Sequence, residues 1–397
     1  MSTVDKLWRK VRANLGDFNA WISLLDAVEK HNDIEVSRKA FDAFLDHFPY
    51  CYGYWKKYAD LERHAGNKER SLEIYAKGVE AIPLSIDLWT AYLDATMEIV
   101  HGQEDYETRM RNLYELALEK AGMEFRSDAL WEHYISWESG HNRLQRALAI
   151  YDRILKTPTQ LYFQNWDSFK KLIEENKPED VLSSTEFVGL LARVAPVAAT
   201  ALRISMKAAQ ENWDSDGTEP PTTAAPPKKS AIEQVTEPDR TAVRQFIIDS
   251  REKVYQATYL QIMKRWYFEE KIRRPYFHVK PLEEVQINNW AEYLSFEENE
   301  ASTVIAEFKA AHPDADPLLD AEVQLARKRV RVLYERCLVA CALYENFWIR
   351  YAKYLEVSPF LCVLRFTAPP GNVTINLAAL HNIFDLVFWV PKYKGGP

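Results

Sequence analysis

The residues that could carry chemistry are scattered along this chain and form no recognised catalytic or metal-binding motif. Three of the nine histidines, His101, His133 and His141, lie near one another, but without HExxH or Cys/His spacing typical of zinc sites. Glycine is scarce at 12 residues, and neither phosphate-binding pattern, GxxxxGK[ST] or GxGxxG, occurs. We therefore expect no enzyme activity, and no catalytic, cofactor-binding or metal-binding residue. A catalytic Ser/His/Asp or Cys/His set whose residues are distant in sequence stays an open alternative.

Glutamate and arginine recur with regular spacing. A glutamate lies seven or eight residues after a tryptophan, as Glu62 does after Trp55 and Glu174 after Trp166. An arginine usually stands five residues before a later tyrosine, and it could reach back to that glutamate in a charge-assisted contact between two helices. We interpret these residues as links within a repeat. The arginines are Arg70, Arg109, Arg146 and Arg329.

Basic clusters are the remaining candidates for contact with a partner. The net charge of −8 and the pI near 5.7 disfavour broad nucleic-acid binding, which needs an extended basic surface. Such clusters on exposed helices are most often solvated, although they could contact RNA or an acidic protein segment. The candidate contact residues are Arg273, Arg274, Arg327, Lys328 and Arg331.

Tryptophan spacing predicts the elements that position these side chains. Trp21, Trp55 and Trp89 are 34 residues apart, and further tryptophans follow at Trp131, Trp166, Trp290 and Trp348. Repeats of about 33 to 47 residues are typical of stacked helical hairpins. We therefore predict an all-α fold, a right-handed α-solenoid of helical hairpins, which offers a binding surface and no catalytic pocket.

Each unit contains an aromatic residue or leucine three residues after the tryptophan, and most have a second-helix aromatic about 20 residues after it. A proline near position 28, as at Pro49 and Pro83, ends the second helix. The spacing places the aromatic residues on one helix face, toward the core. The predicted core residues are Trp21, Trp55, Tyr58, Tyr75, Trp89, Trp131, Tyr134, Tyr151, Trp166, Trp290, Tyr293, Tyr334, Trp348 and Tyr351.

These units resemble the half-a-tetratricopeptide (HAT) family, whose signature is Trp–x2–Tyr–x3–Glu in one helix and Arg–x3–Ile–Tyr–Glu–Arg in the next. Six of the seven tryptophan-led units match the first half, and the Trp89 unit lacks the acid. The strings RRPYFHVKPL and LYERCLVACALYENFWIRYAKYLE resemble a branch of nuclear pre-mRNA splicing factors associated with the U1 small nuclear ribonucleoprotein (U1 snRNP).

The resemblance implies a nuclear scaffold, without a cofactor, that binds U1 snRNP proteins and supports recognition of the 5′ splice site. Alternatives stay open: a HAT scaffold of mRNA 3′-end cleavage or ribosomal-RNA processing, a helical-repeat subunit of an enzyme, or direct RNA binding. Weak or indirect RNA contact is compatible with the first hypothesis, and no membrane contact is expected, since no apolar run of about 18 residues occurs.

Composition predicts four segments. Residues 1–213 form an N-terminal repeat array, 214–238 a Pro-rich disordered linker, 239–356 a second repeat segment, and 357–397 a divergent tail without repeats. Members of the resembled family continue with further repeats, so the tail suggests alternative splicing or an error in the gene model. The family-type homodimer, which uses those repeats, is expected to be lost.

Overall fold

The computed structural model describes residues 3–31, 33–214 and 235–357. These residues form seventeen α-helices and one 3₁₀ turn, with no β-strand among them. The predicted all-α class and the helical-repeat architecture are confirmed. Most of the predicted linker and almost all of the predicted tail lie outside the described residues. The four-segment division therefore stays a prediction.

The chain divides into two compact units. The first contains residues 1–116 and 267–397, and the second contains residues 117–266. Helices α7 and α14 have residues in both units. The helices are α1 Thr3–Ala13, α2 Phe18–His31, α3 Ile34–His47, α4 Tyr52–His64, α5 Lys68–Ala81, α6 Ile86–Val100, α7 Tyr106–Ala121, α8 Asp128–Gly140, α9 Leu144–Ile154, α10 Tyr162–Glu175, α11 Pro178–Val181, α12 Ser184–Val194, α13 Pro196–Asp214, α14 Glu237–Glu269, α15 Glu284–Ala311, α16 Ala321–Ala340 and α17 Glu345–Val357.

Five tryptophans occupy the same place in their helices, namely the fourth residue. Trp166 and Trp290 differ, because α10 begins four residues and α15 six residues before them. The five are Trp21 in α2, Trp55 in α4, Trp89 in α6, Trp131 in α8 and Trp348 in α17.

Short turns with left-handed residues join the helices of a hairpin. Gly66, between α4 and α5, has φ of +85°, a conformation that costs glycine little because it has no Cβ. Asn142, between α8 and α9, has φ of 56°, which asparagine tolerates better than most residues. Prolines follow the second helices, with Pro49 just after α3 and Pro83 just after α5. These residues define where each hairpin turns and where it ends.

Side-chain caps fix several helix starts. Asp33 accepts hydrogen bonds from the backbone N–H groups of Glu35 and Val36 at the start of α3. Ser183 and Glu186 form a reciprocal capping box at the start of α12. Asp320 caps α16 in the same way as Asp33 caps α3. Each cap satisfies N–H groups that the helix itself leaves unpaired.

Candidate functional site

The tryptophans join each hairpin to the loop before it. The indole N–H of Trp55 donates to the carbonyl of Pro49 at 2.8 Å, and that of Trp89 donates to Pro83 at 2.8 Å. Trp21 and Trp348 make the same bond to the carbonyl six residues earlier, at 2.9 Å each. The proline that ends one hairpin thus supplies an acceptor to the next.

Trp290 lacks this bond. Its side chain is fully buried, and its Nε1 has no hydrogen-bond partner among the described residues. The cause is the earlier start of α15, because residue Glu284, six positions back, is already the first residue of the same helix. An unpaired buried N–H is unfavourable.

Thirteen of the fourteen predicted core residues are buried. Trp55 is the exception, since its side chain is only partly buried. Its Cβ and Cγ lie beside Gly78 of α5, where an added Cβ would be 3.1 Å from both and 2.9 Å from Leu88 Cδ2. Glycine therefore permits the close approach.

Stacked aromatic pairs connect consecutive hairpins. The second-helix aromatic of one hairpin stacks on the first-helix aromatic of the next. The pairs and their centroid distances are Phe41–Tyr58 at 5.1 Å, Tyr75–Tyr92 at 5.9 Å, Phe268–Tyr293 at 4.9 Å and Tyr334–Tyr351 at 4.8 Å, with ring planes inclined by 20° or less. Such pairs stabilise by about 0.5 to 1.5 kcal/mol beyond area burial.

The acid that follows a second-helix aromatic accepts a hydrogen bond from the tyrosine of the next hairpin. Tyr58 donates to Asp42 at 2.9 Å, and Tyr351 donates to Glu335 at 3.3 Å. Where Phe169 replaces the tyrosine, no hydroxyl is present, and Asp152 instead receives two hydrogen bonds from Arg251 of α14, at 2.9 and 3.0 Å. This acid therefore has a structural role, because its hydrogen bonds connect neighbouring helices.

Phe268 and Glu269 were missed by the sequence analysis. Glu269 accepts from Tyr293 at 2.8 Å and from both terminal nitrogens of Arg336 at 2.5 and 2.8 Å, in a buried cluster. The sequence signal that could have identified them is the aromatic–acid dipeptide, which also occurs at Phe41-Asp42 and Tyr334-Glu335.

Glu62 shows the predicted contact between arginine and glutamate. Arg70 of the same hairpin lies 3.2 Å from it, and Arg38 of the preceding hairpin donates two hydrogen bonds, at 2.7 and 2.8 Å. Burial would raise the pKa of Glu62, but hydrogen bonds from Arg38 and Asn67 and the charge of Arg70 bring it below its usual value. Arg109 and Arg146, which the same reasoning selected, are exposed.

A glutamate seven residues after the tryptophan differs from one eight residues after it. At position seven, Glu62, Glu138 and Glu297 are buried, with exposures of 3% or less. At position eight, Glu174 is exposed and Glu29 is partly buried. The repeat pattern did not distinguish the two positions, but only position seven lies within the core.

The aromatic–acid–Arg runs serve two hairpins at once. In Tyr334-Glu335-Arg336, the aromatic and the acid contact the next hairpin, while the guanidinium of Arg336 lies 5.9 Å from the Trp290 ring of its own hairpin. Arg153 lies 5.4 Å from the ring of Trp131 in the same way. The motif residues are thus used for packing between helices.

The structure does not place the basic candidates in one cluster of contacts. Arg273 has an 80% exposed side chain, 4.0 Å from Glu283, and Arg274 donates to the carbonyl of Lys280 at 2.9 Å. Arg327, Lys328 and Arg331 share helix α16, and all three are partly buried.

Within the described residues, there is no group of three or more His, Cys, Asp or Glu side chains able to hold a metal ion. In the same part of the chain, no helix combines the length and the apolar composition needed to cross a membrane. Three cysteines, Cys51, Cys337 and Cys341, are buried free thiols.

Comparison with known proteins agrees with this geometry. The family model "PRP39 N-terminal HAT repeat" matches residues 5–171, and "PRP39 C-terminal HAT repeat" matches residues 263–309 and 318–361. Among proteins named pre-mRNA-processing factor 39, that of Danio rerio is 43% identical over 358 residues, which cover 89% of this chain and 43% of that protein.

The human protein of that name is 41% identical over 358 residues, which cover 89% of this chain and 47% of that protein. The Schizosaccharomyces pombe protein is 30% identical over 372 residues, with 89% and 52% covered. The chain spans about half the length of these curated relatives. The resemblance to HAT repeats is confirmed, and the chain belongs to the pre-mRNA-processing factor 39 family of HAT-repeat proteins.

Proposed function

We propose that this chain is a non-catalytic scaffold of nuclear pre-mRNA splicing, which binds proteins of the U1 snRNP and supports 5′ splice-site recognition. The observation that carries the proposal is the match of both repeat segments to the PRP39 HAT models, together with relatives named pre-mRNA-processing factor 39. U1 snRNP association and the nuclear location are the part of the proposal that the family resemblance implies.

The packing supports a scaffold role. The repeated acids, arginines and aromatic residues bond to one another inside and between hairpins, as Glu62 does with Arg38 and Tyr58 with Asp42. Such contacts hold helices in fixed positions, and the outward faces of stacked hairpins remain for a partner's helix or extended segment. Protein contacts, and not chemistry on a substrate, are the function that this arrangement serves.

The test is affinity purification of the tagged full chain from nuclear extract, with and without ribonuclease, followed by mass spectrometry and RNA sequencing. We expect U1-specific proteins and U1 RNA to be enriched, and the U1 proteins to stay bound after ribonuclease treatment. The control is a Trp290→Asp variant, in which a charge in the core disrupts the fold, so partners that need the folded surface should be lost.

Other outcomes discriminate among the alternatives. Enrichment of 3′-end cleavage factors or of ribosomal-RNA processing factors, without U1 components, would contradict the proposal in favour of another HAT scaffold. Loss of every partner after ribonuclease treatment would show that RNA, and not protein, mediates the association. The loss of the family-type homodimer stays a prediction, which sedimentation of the same sample measures.

A further inference from the structure

Helix α16 carries three cations on one side. Arg327, Lys328 and Arg331 lie at positions i, i+1 and i+4, and each is partly buried. Residues four apart on a helix are neighbours, with Cβ atoms about 6 Å apart. The side chains of Arg327 and Arg331 therefore lie on adjacent turns of one helix face.

Nearby arginines have carboxylate partners. Arg336 of α16 forms the buried pair with Glu269, and Arg350 of α17 lies 2.7 Å from Glu298. Within the described ranges, no ion pair within 4.0 Å involves Arg327, Lys328 or Arg331. Half-buried arginines without a carboxylate have lost part of their hydration and have not regained charge-assisted hydrogen bonds.

The neighbouring helix explains why no internal acid neutralises them. Tyr354 of α17 packs 5.4 Å from the ring of Tyr334, and burial raises its pKa, with Arg327 and Arg331 acting in the opposite direction. The acids on that side are Glu297, Glu298 and Glu335, and Glu335 follows Arg331 by four residues on α16. Glu297 is buried, Glu298 already accepts hydrogen bonds from Arg350 and Tyr334, and Glu335 accepts one from Tyr351.

We propose that Arg327, Lys328 and Arg331 form a docking site for an extended acidic segment of a partner protein, with Asp or Glu at alternate positions. Alternate residues of an extended chain are about 7 Å apart, close to the separation of the two arginines along α16. Arginine binds carboxylates through two parallel hydrogen bonds, and charge complementarity favours this partner over a neutral peptide.

A carboxylate partner fits this surface better than RNA does. Three cations on one helix are few for counterion release along a phosphate backbone, and the whole chain carries a net charge of −8. Single-stranded RNA is usually held by exposed aromatic rings, whereas Tyr354, the aromatic beside the site, is partly buried against Tyr334. The proposal rests on the scaffold function, since it names the kind of protein segment that the scaffold binds.

The test measures binding of fluorescent peptides to the purified full chain by anisotropy. The probes are an alternating Glu-Ser peptide, an alternating Gln-Ser peptide and oligouridylate of equal length. The variant is Arg327→Gln/Lys328→Gln/Arg331→Gln, and the control is Lys39→Gln/Lys68→Gln/Lys77→Gln, which removes three exposed cations elsewhere. Circular dichroism checks that both variants fold.

We expect the Glu-Ser peptide to bind the parent chain and the control, and to bind the α16 variant about tenfold or more weakly. Equal binding to the variant and the control, or equal binding of the Glu-Ser and Gln-Ser peptides, would overturn the proposal. Preferential binding of oligouridylate that depends on these residues would overturn it in favour of RNA. Because the assay contains no splicing component, its failure leaves the U1 association to be judged by the purification experiment.

Discussion

At the scale of single residues, Glu62 and Glu174 show that a shift of one position along a helix decides whether a side chain is buried. Glu62 follows Trp55 by seven residues and is fully buried, whereas Glu174 follows Trp166 by eight and is exposed. Successive residues of a helix are separated by about 100° around its axis, so one step moves a side chain off the core face. The sequence contained this distinction, because Val28 and Ile173 occupy position seven where the acid is at position eight, and both are buried.

The first prediction concerns pH. The pKa of Glu62 is lowered in the folded chain, so its charged form stabilises the fold above the usual value of 4.5, and this contribution is lost as the pH falls below that value. Glu62→Gln is expected to cost about 2 kcal/mol at neutral pH, since it removes the buried carboxylate of Arg38 and leaves only the exposed Glu35 as its partner. It should also flatten the loss of stability on acidification.

Urea unfolding of parent and variant between neutral and acidic pH measures this effect. Glu174→Gln is the control, because Glu174 is exposed, and it should change neither stability nor its pH dependence. If Glu62→Gln retained the full acid dependence of the parent, another carboxylate would be responsible.

The second prediction compares two tryptophans that are equally buried but differently bonded. Trp89 donates to Pro83, whereas Trp290 Nε1 has no acceptor among the described residues. Phenylalanine removes the N–H in both cases, but only at position 89 does it break a hydrogen bond. Trp89→Phe should therefore cost about 1 kcal/mol more than Trp290→Phe. Denaturant unfolding curves of the two variants give the difference directly, and equal losses would count against the indole bond as a stabilising contact.

At the scale of helices, the sequence predicted which helix faces contact one another, but not the distances between the helices. The stacked pairs Phe41–Tyr58, Tyr75–Tyr92 and Tyr334–Tyr351 all join residues 17 apart, so their contact is recoverable from the repeat. Phe268–Tyr293 is not, because the longer connection before α15 changes the spacing. The partial exposure of Trp55 was also not predictable, since it depends on the distance between α4 and α5.

The third prediction tests that close approach. Gly78→Ala would bring a Cβ to 2.9 Å from Leu88 Cδ2 and 3.1 Å from Trp55 Cβ, so the Leu88 and Trp55 side chains must shift. We expect a loss of about 1 to 3 kcal/mol, although alanine favours helix by about 1 kcal/mol. Gly53→Ala in α4 meets no atom within 4 Å and should be neutral or stabilising. Thermal melting of both variants checks the pair, and a stabilised Gly78→Ala would mean that α5 packs more loosely than described.

At the scale of the whole chain, repeat patterns predict contacts between segments that are close in sequence, but not contacts between distant segments. In the first unit, Tyr50 contacts Phe277 at 6.2 Å and Tyr52 contacts Tyr276 at 6.5 Å. Tyr50, Tyr276 and Phe277 lie in connecting segments, and Tyr52 is the first residue of α4. The RRPYFHVKPL string therefore has a packing role that its sequence did not reveal, because contacts between segments more than 200 residues apart have no periodic signal.

Tyr50 belongs to the edge of the core formed by α15 to α17. It packs against a cluster that includes Trp290 and Tyr334, and burial, with a smaller effect of Glu335, raises its pKa. Tyr50 lies between α2 and α4, the first and second tryptophan-led helices, and is more than 200 residues before this cluster in the sequence. The contact thus joins the early and late parts of the first unit.

The final prediction measures this connection by a double-mutant cycle of Tyr50→Leu and Phe277→Leu. Aromatic pairs contribute about 0.5 to 1.5 kcal/mol beyond burial, so the double variant should lose less stability than the sum of the single variants by that amount. Tyr50→Leu combined with Phe308→Leu is the control, because Phe308 packs on His312 instead. Those two losses should add. Additive losses for Tyr50 and Phe277 would show that this ring contact contributes no coupling energy to the fold.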